Sequence, residues 1–302
     1  MTDFNKELYS ILNDSRATSE EGRLASYIPE LANVNPDSVG IYITSAEGEY
    51  FAGDYNLTFT MQSVIKPLIL LLALQDSGIE KVRSLVGVEA TGKPFDTFNY
   101  TDQALKNEHI NPMINAGAIA LCTLIKGASY QEKTKRLLEF TRRLARNDGL
   151  EIDKNVFMSE KATGNKNRAL AYMLNAYNMI NENVDDLLDC YFSACSIKAC
   201  CKDLANIAFA LSHSEKNGEI SVEDARLVNA ILMTSGMYDG SGEFALNVGI
   251  PAKSGVGGGI MAVVPGRMGI GVYSPLLDTK GNSIAGKRIL EKISRSLNLN
   301  IF

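Results

Sequence analysis

The stretch Met61-Gln62-Ser63-Val64-Ile65-Lys66-Pro67 decides how this chain is read, because it opens the apolar run Leu68 to Leu74 with a serine and a lysine three residues apart. A helix starting near Ser63 puts these two side chains at i and i+3, on one face. A serine hydroxyl attacks poorly until a base takes its proton, and a lysine desolvated by an apolar wall is neutral often enough to do that. The same residues also fit a plainer role, an N-cap serine followed by a solvated lysine. Partners elsewhere in the chain separate the two readings.

Composition narrows the setting. The 302 residues are 45% hydrophobic and 22% charged, an ordinary globular balance with room for one large core or two modest ones. A net charge of -5 without any long basic run argues against a nucleic-acid partner. The start, Met1-Thr2-Asp3-Phe4-Asn5, has neither the basic nor the apolar region of a signal peptide, and the longest apolar runs fall far short of a bilayer span. The expectation is a cytoplasmic protein without a membrane partner. Only two histidines, His109 and His213, are present, which leaves no multi-histidine metal site, and neither is flanked by the turn that a Ser-His-Asp triad would need. Cys122, Cys190, Cys195, Cys200 and Cys201 show no Cys-x-x-Cys spacing and read as small buried hydrophobes. Neither a metal nor a cofactor is expected.

Outward from Ser63, the chain changes period twice. Residues 4 to 34 read as helical, with Leu8, Ile11 and Leu12 and then Leu24, Tyr27, Ile28 and Leu31 at helical spacing. Val39 to Thr44 and Glu49 to Ala52 flank Ser45-Ala46-Glu47-Gly48 as a β-hairpin. Residues 91 to 112, rich in Gly, Pro, Asn and Asp, read as a long loop of the kind that lines sites. From 113 to 234 the pattern is helical: Ile114 to Ile125, Tyr130 to Arg146, Lys166 to Asn181, Val184 to Ser196, Lys198 to Leu211 and Val222 to Met233. Phe244 to Val248, Ala252 to Ser254, Gly259 to Val264 and Met268 to Tyr273 then read as strands, and Ile284 to Leu297 as a closing helix. This order predicts an α+β fold with a central, mainly antiparallel sheet flanked by helices. One catalytic domain, residues 1–302, would comprise an α/β part (about 1–65 and 235–302) and an inserted all-helical subdomain (about 66–234). Ser63 falls at their seam, where small-molecule sites form.

A second informative stretch, Pro251-Ala252-Lys253-Ser254-Gly255-Val256-Gly257-Gly258-Gly259, fits no phosphate loop, because Ala252 stands where Gly is needed and a strand follows. It reads either as a glycine-rich turn or as the Lys-Ser-Gly strand edge that faces a Ser-x-x-Lys serine in β-lactamases and penicillin-binding proteins. An acylation site also needs two N–H donors for the developing oxyanion. Ser63 offers one amide and Gly255-Val256-Gly257 another.

Taken together, Gln62-Ser63-x-x-Lys66-Pro67, Asn111-Pro112-Met113-Ile114-Asn115-Ala116-Gly117-Ala118, Ser159-Glu160 with Asn167, Tyr191-x-x-x-Cys195-Ser196, Gly236-Met237-Tyr238-Asp239-x-Ser241-Gly242 and Ala252-Lys253-Ser254-Gly255-Val256 resemble the serine-dependent glutaminases, in order and over nearly the whole chain. The resemblance implies the β-lactamase-like fold and a homodimer or homotetramer. It carries substrate contacts to Tyr27, Ser63, Asn115, Glu160, Asn167, Tyr191, Tyr238 and Val256. Two departures are visible: Lys166 where arginine is common, and Leu211-Ser212-His213-Ser214-Glu215 where Asn-Gly-Gly is usual, both expected to affect loop shape. The implied reaction is hydrolysis of L-glutamine through a Ser63 glutamyl ester, with Lys66 and Tyr238 or Tyr27 moving protons. Glu160 would pair the substrate ammonium, while Asn115, Asn167 and a tyrosine would hold its carboxylate. Singly, each of these residues also reads as a cap, a turn or a core aromatic. One rival is a β-lactam or peptide acyl enzyme. The Asn that such an enzyme carries two residues after its middle Ser or Tyr is missing, since Ser193 and Lys198 follow Tyr191 and Ser196. The other rival is a glutamine-binding protein without turnover.

Overall fold

Three strands carry apolar side chains on both faces, and they form the middle of the protein. The computed structural model describes residues 3–90 and 110–302. Its strands are β1 (Gly40–Ser45), β2 (Glu49–Gly53), β3 (Phe59–Thr60), β4 (Lys198–Ala199), β5 (Ala252–Ser254), β6 (Gly259–Val264) and β7 (Met268–Tyr273). Five of them make one antiparallel sheet in the order β2-β1-β7-β6-β5, while β3 and β4 pair separately. β1 therefore lies beside β7, with Ile41 opposite Val272 and Ile43 opposite Ile270. The helices are α1 (Asp3–Asn13), α2 (Lys66–Ser77), α3 (Ile79–Leu85), α4 (Asn115–Cys122), α5 (Tyr130–Ala145), α6 (Lys154–Thr163), α7 (Asn165–Ala176), α8 (Val184–Cys195), α9 (Cys201–Ser212), α10 (Ser214–Asn217), α11 (Val222–Ser235), α12 (Ser241–Asn247) and α13 (Ile284–Ser296). None of these is long and apolar enough to cross a membrane.

The period-2 alternation of the strands divides the core. Ile41, Ile43, Ile260, Ala262, Ile270 and Val272 pack with Leu8 and Leu12 of α1 and Ile289, Leu290 and Ile293 of α13. Tyr42, Met261, Val263 and Tyr273 point the other way, into the larger cluster that holds the middle helices. There α9 crosses the sheet so closely that a Cβ on Gly271 would stand 2.1 Å from the Cys201 carbonyl oxygen. Beyond α9, α2 runs through the helical layer with α3, α4, α5 and α11 around it. Leu68 to Leu74 are all buried, as a helix apolar on every side requires.

The hairpin, the strands β5 to β7 and the closing helix lie where the sequence pattern puts them, and three readings change. The helix expected over 4–34 ends at Asn13. Beyond it the chain bridges to Leu277, with the Arg23 N–H donating to the Leu277 carbonyl at 3.0 Å and the reverse bond at 2.9 Å, and Pro29 only opens a short 3-10 turn. Leu24 to Leu31 mimicked a helix because Ile28 and Leu31 are buried together in a loop cluster with Val156, Val256 and Leu277. Phe244 to Val248, expected as a strand, falls in and just after helix α12, with Phe244 and Val248 buried at i and i+4 and Leu246 78% exposed between them. Lys198 and Ala199 pair with β3 before α9 begins. The sequence pattern did not single out α3 and α6 as helices. Of the loop expected over 91–112, residues 91–109 lie outside the described residues.

The α9–sheet contact leaves no room for a methyl group. Gly271→Ala should lower the unfolding free energy by about 2 kcal/mol. Gly242→Ala, where a Cβ meets nothing within 4 Å, should stay within about 0.5 kcal/mol. Urea denaturation of the two variants beside wild type checks both.

Candidate active site

Ser63 sits in a 3-10 turn, Gln62–Ile65, that runs straight into α2. The Met61 N–H donates to the Ile197 carbonyl at 2.9 Å and the Val64 N–H to Met61 at 2.9 Å, so the turn is fixed at both ends. Gln62, just before the serine, has φ +48°, a left-handed conformation that only a well-determined surrounding sustains in a non-glycine residue. Its amide Nε2 donates to Thr60 Oγ1 at 3.2 Å. The β5–β6 turn presses on the same place, since a Cβ on Gly255 would meet the Met61 carbonyl oxygen at 2.6 Å. The Gly255 N–H is committed to the Gly259 carbonyl at 3.0 Å. Gly255 is thereby removed from the candidate oxyanion donors. The Val256 N–H makes no backbone hydrogen bond among the described residues.

Lys66 opens α2 with no solvent exposure at all. Its ammonium donates to Asn115 Oδ1 at 2.7 Å and to the Met113 carbonyl at 3.3 Å. Burial brings its pKa down to about 8, against the pull of Cys195 and Glu160. A lysine in this state is a usable base. Burial pushes the Tyr238 phenol above its ordinary range, and Ser63 beside it opposes that shift. Tyr238 has φ +53°, so both residues that flank the serine in space are left-handed. Behind it the Lys253 ammonium stands 4.3 Å from the Tyr238 ring centroid and donates to the Gly236 and Ser254 carbonyls at 3.1 and 2.7 Å. Burial, and then repulsion from Lys66, lowers the Lys253 pKa well below that of a free lysine.

A cavity of about 280 Å³ opens in front of Ser63. Glu160, near the end of α6, faces into it with 5% exposure, and burial raises its pKa to about 8 while Lys66 opposes the shift. Its Oε2 has no hydrogen-bond partner among the described residues. Asn115, the first residue of α4, accepts from Lys66 and, at 3.3 Å, from the Tyr191 hydroxyl, and its Nδ2 donates to Asn167 Oδ1 at 2.9 Å. Tyr27, 54% exposed, stands at the mouth.

Six of the residues singled out from sequence thus line one cavity: Tyr27, Ser63, Asn115, Glu160, Asn167 and Tyr191. Lys66 and Tyr238 stand behind its wall, Lys66 donating to the lining residue Asn115 and Tyr238 next to Ser63. The Val256 side chain is elsewhere, packed with Ile28 and Leu31, so only its backbone is available to the site. Gln62 and Cys195 also line the cavity, as do Thr163, Gly164, Asn165 and Lys166. Cys195 lies one helical turn after Tyr191 on α8, a placement that i,i+4 spacing signals. Lys166, expected to matter only for loop shape, is part of the lining. Among the described residues no group of three or more His, Cys, Asp or Glu is placed to hold a metal ion. An unpaired buried carboxylate facing amide and phenol groups suits a small ligand with an ammonium at one end.

An antiparallel sheet between helices, with a Ser-x-x-Lys turn at the edge of a helical layer, is the β-lactamase-like fold. Within that class the match is specific: residues 22–302 fit the family model "Glutaminase", and the chain belongs to the glutaminase family. It is 49% identical to a glutaminase of Clostridium tetani over 98% of this chain and 99% of that one, and 48% identical to glutaminase 2 of Clostridium perfringens with the same coverage. Among solved structures, the probable glutaminase of Bacillus subtilis complexed with 6-diazo-5-oxo-L-norleucine superposes with a TM-score of 0.90 at 34% identity, covering 100% of this chain and 98% of that one. A second Bacillus subtilis glutaminase structure is the covalent complex with 5-oxo-L-norleucine formed by reaction with the diazo compound.

The state of Glu160 has a consequence for stability. In the native protein its carboxyl keeps a proton up to about pH 8, whereas the unfolded group loses it near 4.5. Between these values the native state binds more protons, so wild-type stability falls as pH rises. Glu160→Gln lacks that titration, and its stability relative to wild type should therefore increase steadily from pH 5 to pH 8. Urea denaturation of both proteins at the two pH values measures the difference, and a constant gap would contradict the shift.

Proposed function

We propose that this protein hydrolyses L-glutamine to L-glutamate and ammonia through a glutamyl ester on Ser63. The observation that carries the reading is the convergence of Ser63, the buried base Lys66 and the Tyr238 hydroxyl at one wall of a cavity whose other side presents an unpartnered carboxylate. Glu160 receives the substrate ammonium, which restores the carboxylate that burial disfavours. Asn115, Asn167 and Tyr191 hold the α-carboxylate, with Tyr27 closing the mouth. Ser63 Oγ attacks the side-chain amide carbon as its proton passes to Lys66 Nζ. The oxyanion settles on the N–H groups of Ser63 and Val256, the second making no backbone hydrogen bond among the described residues. Lys66 and Tyr238 return the proton to nitrogen, ammonia leaves, and water cleaves the ester. Lys253 fixes the Tyr238 ring from behind. The covalent 5-oxo-L-norleucine complex of the Bacillus subtilis relative supports the reading, since that ligand carries its carbonyl at the carbon where glutamine carries its amide. A cytoplasmic homodimer or homotetramer completes the proposal, on the family resemblance alone.

Ser63→Ala should cut ammonia release roughly a thousandfold or more while glutamine still binds within about tenfold of wild type, because the groups that hold the amino-acid end are elsewhere. Retained turnover would remove Ser63 as nucleophile.

The base carries its own test. Below about pH 8 Lys66 is protonated and Glu160 is neutral, so kcat/KM should rise with pH through about 8. Glu160→Gln should keep the part of this limb that belongs to Lys66. Lys66→Arg should be inactive at every pH, since a guanidinium stays charged. Near-normal kcat in Lys66→Arg would leave the lysine an electrostatic role only.

A further inference from the structure

Among the described residues Glu160 has no hydrogen-bond partner on its Oε2, so its place in the cavity is inherited from the helix that carries it. That helix is weakly anchored. Of the ten residues of α6 only Val156 and Glu160 are buried, and a helix of this length is marginal without tertiary support. The next residue supplies such support. The Lys161 ammonium lies 2.7 Å from Asp189 Oδ2 on α8, two residues before Tyr191, and 5.9 Å from the Phe157 ring centroid. Asp189 is the buried end of the pair: its side chain is 11% exposed against 41% for Lys161, so loss of the lysine would leave a largely buried carboxylate without its cation. The Lys161 carbonyl also accepts a hydrogen bond from the Arg168 guanidinium on α7, the residue after Asn167. One residue therefore joins the three helices that bring Glu160, Asn167 and Tyr191 to the cavity. The charge state of Glu160 is governed by burial and Lys66, so Lys161 acts through position.

We infer that Lys161 and Asp189 form a positioning pair that holds α6 against α8, and so sets where Glu160 meets the substrate ammonium. The inference rests on the ammonium role proposed for Glu160. Loss of the pair lets the carboxylate drift from its place opposite Tyr191 without touching Ser63 or Lys66. The effect belongs to substrate binding, and only to substrates that carry the ammonium.

The test compares wild type, Lys161→Met, Lys161→Arg, the exchange Lys161→Asp with Asp189→Lys, and Glu160→Gln. Each is assayed for ammonia release from glutamine and from glutaramate, which keeps the carboxylate and amide but lacks the α-amino group. Lys161→Met keeps an apolar stem against Phe157 and should raise the glutamine KM roughly three- to tenfold, less than Glu160→Gln does, with kcat within about twofold. Its KM for glutaramate should stay within about twofold of wild type, and Lys161→Arg and the exchange should restore glutamine KM. If Glu160→Gln raises KM for glutamine alone while Lys161→Met leaves it unchanged, the positioning pair is overturned and the ammonium role stands. Equal penalties on both substrates in Lys161→Met, without rescue by arginine, would reduce the pair to a structural prop and overturn the inference. Equal penalties on both substrates in Glu160→Gln would remove the ammonium role, and the inference with it.

Discussion

The burial of one lysine ammonium governs the site. Lys66 has no contact with solvent, and its two acceptors are the Asn115 side chain and the Met113 carbonyl. Removing a charge from water is costly unless it is hydrogen-bonded, and here the compensation is deliberately incomplete. Burial draws this lysine down to about 8, the burial of Glu160 raises its carboxyl to about 8, and Lys253 is lowered by its own burial and then by repulsion from Lys66. Burial holds each of these groups away from its ordinary charge state, and Lys66 and Glu160 each oppose the other's shift.

The scaffold is arranged to sustain that cost. Asn115 begins a short, wholly buried helix and connects Lys66, Tyr191 and Asn167, so the buried lysine and two residues of the cavity lining share a hydrogen-bonded hub. The Ser63 turn is fixed on one side by the Ile197 carbonyl and on the other by the β5–β6 turn, and this allows Gln62 to hold a left-handed backbone immediately before Ser63. Such strain persists only where the surroundings over-determine it. The sheet provides the rigidity, with helices on both faces.

Much of this was legible in the sequence, and the failures have identifiable causes. The central strands were readable because burial on both faces produces short apolar runs bounded by Gly and Pro, as in Gly259 to Val264. Ser63, Lys66 and the Lys253-Ser254-Gly255 edge were readable because chemistry fixes their spacing. Phe244 to Val248 misled because five residues are too few to separate a strand from one helical turn. Leu24 to Leu31 misled because apolar side chains at helical spacing were buried by a bridge to Leu277, far along the chain and invisible to local pattern. The tie between Lys161 and Asp189 has no sequence signal at all, since it depends on how α6 lies on α8.

The pairing of β1 with β7 ties a strand near the start of the chain to one near its end. During synthesis the hairpin emerges early, with the apolar faces of Ile41, Ile43 and Tyr42 and an unpaired edge, and waits for almost the whole polypeptide before its neighbour exists. A ribosome adds residues far more slowly than short chains collapse, so the nascent protein spends seconds with that edge open. The sheet that fixes the Ser63 turn is thus closed only after release of the C-terminal segment. A chain interrupted before Met268 has the serine and the lysine but lacks the strand that completes the wall behind them, and it offers instead a sticky template to any other extended chain nearby.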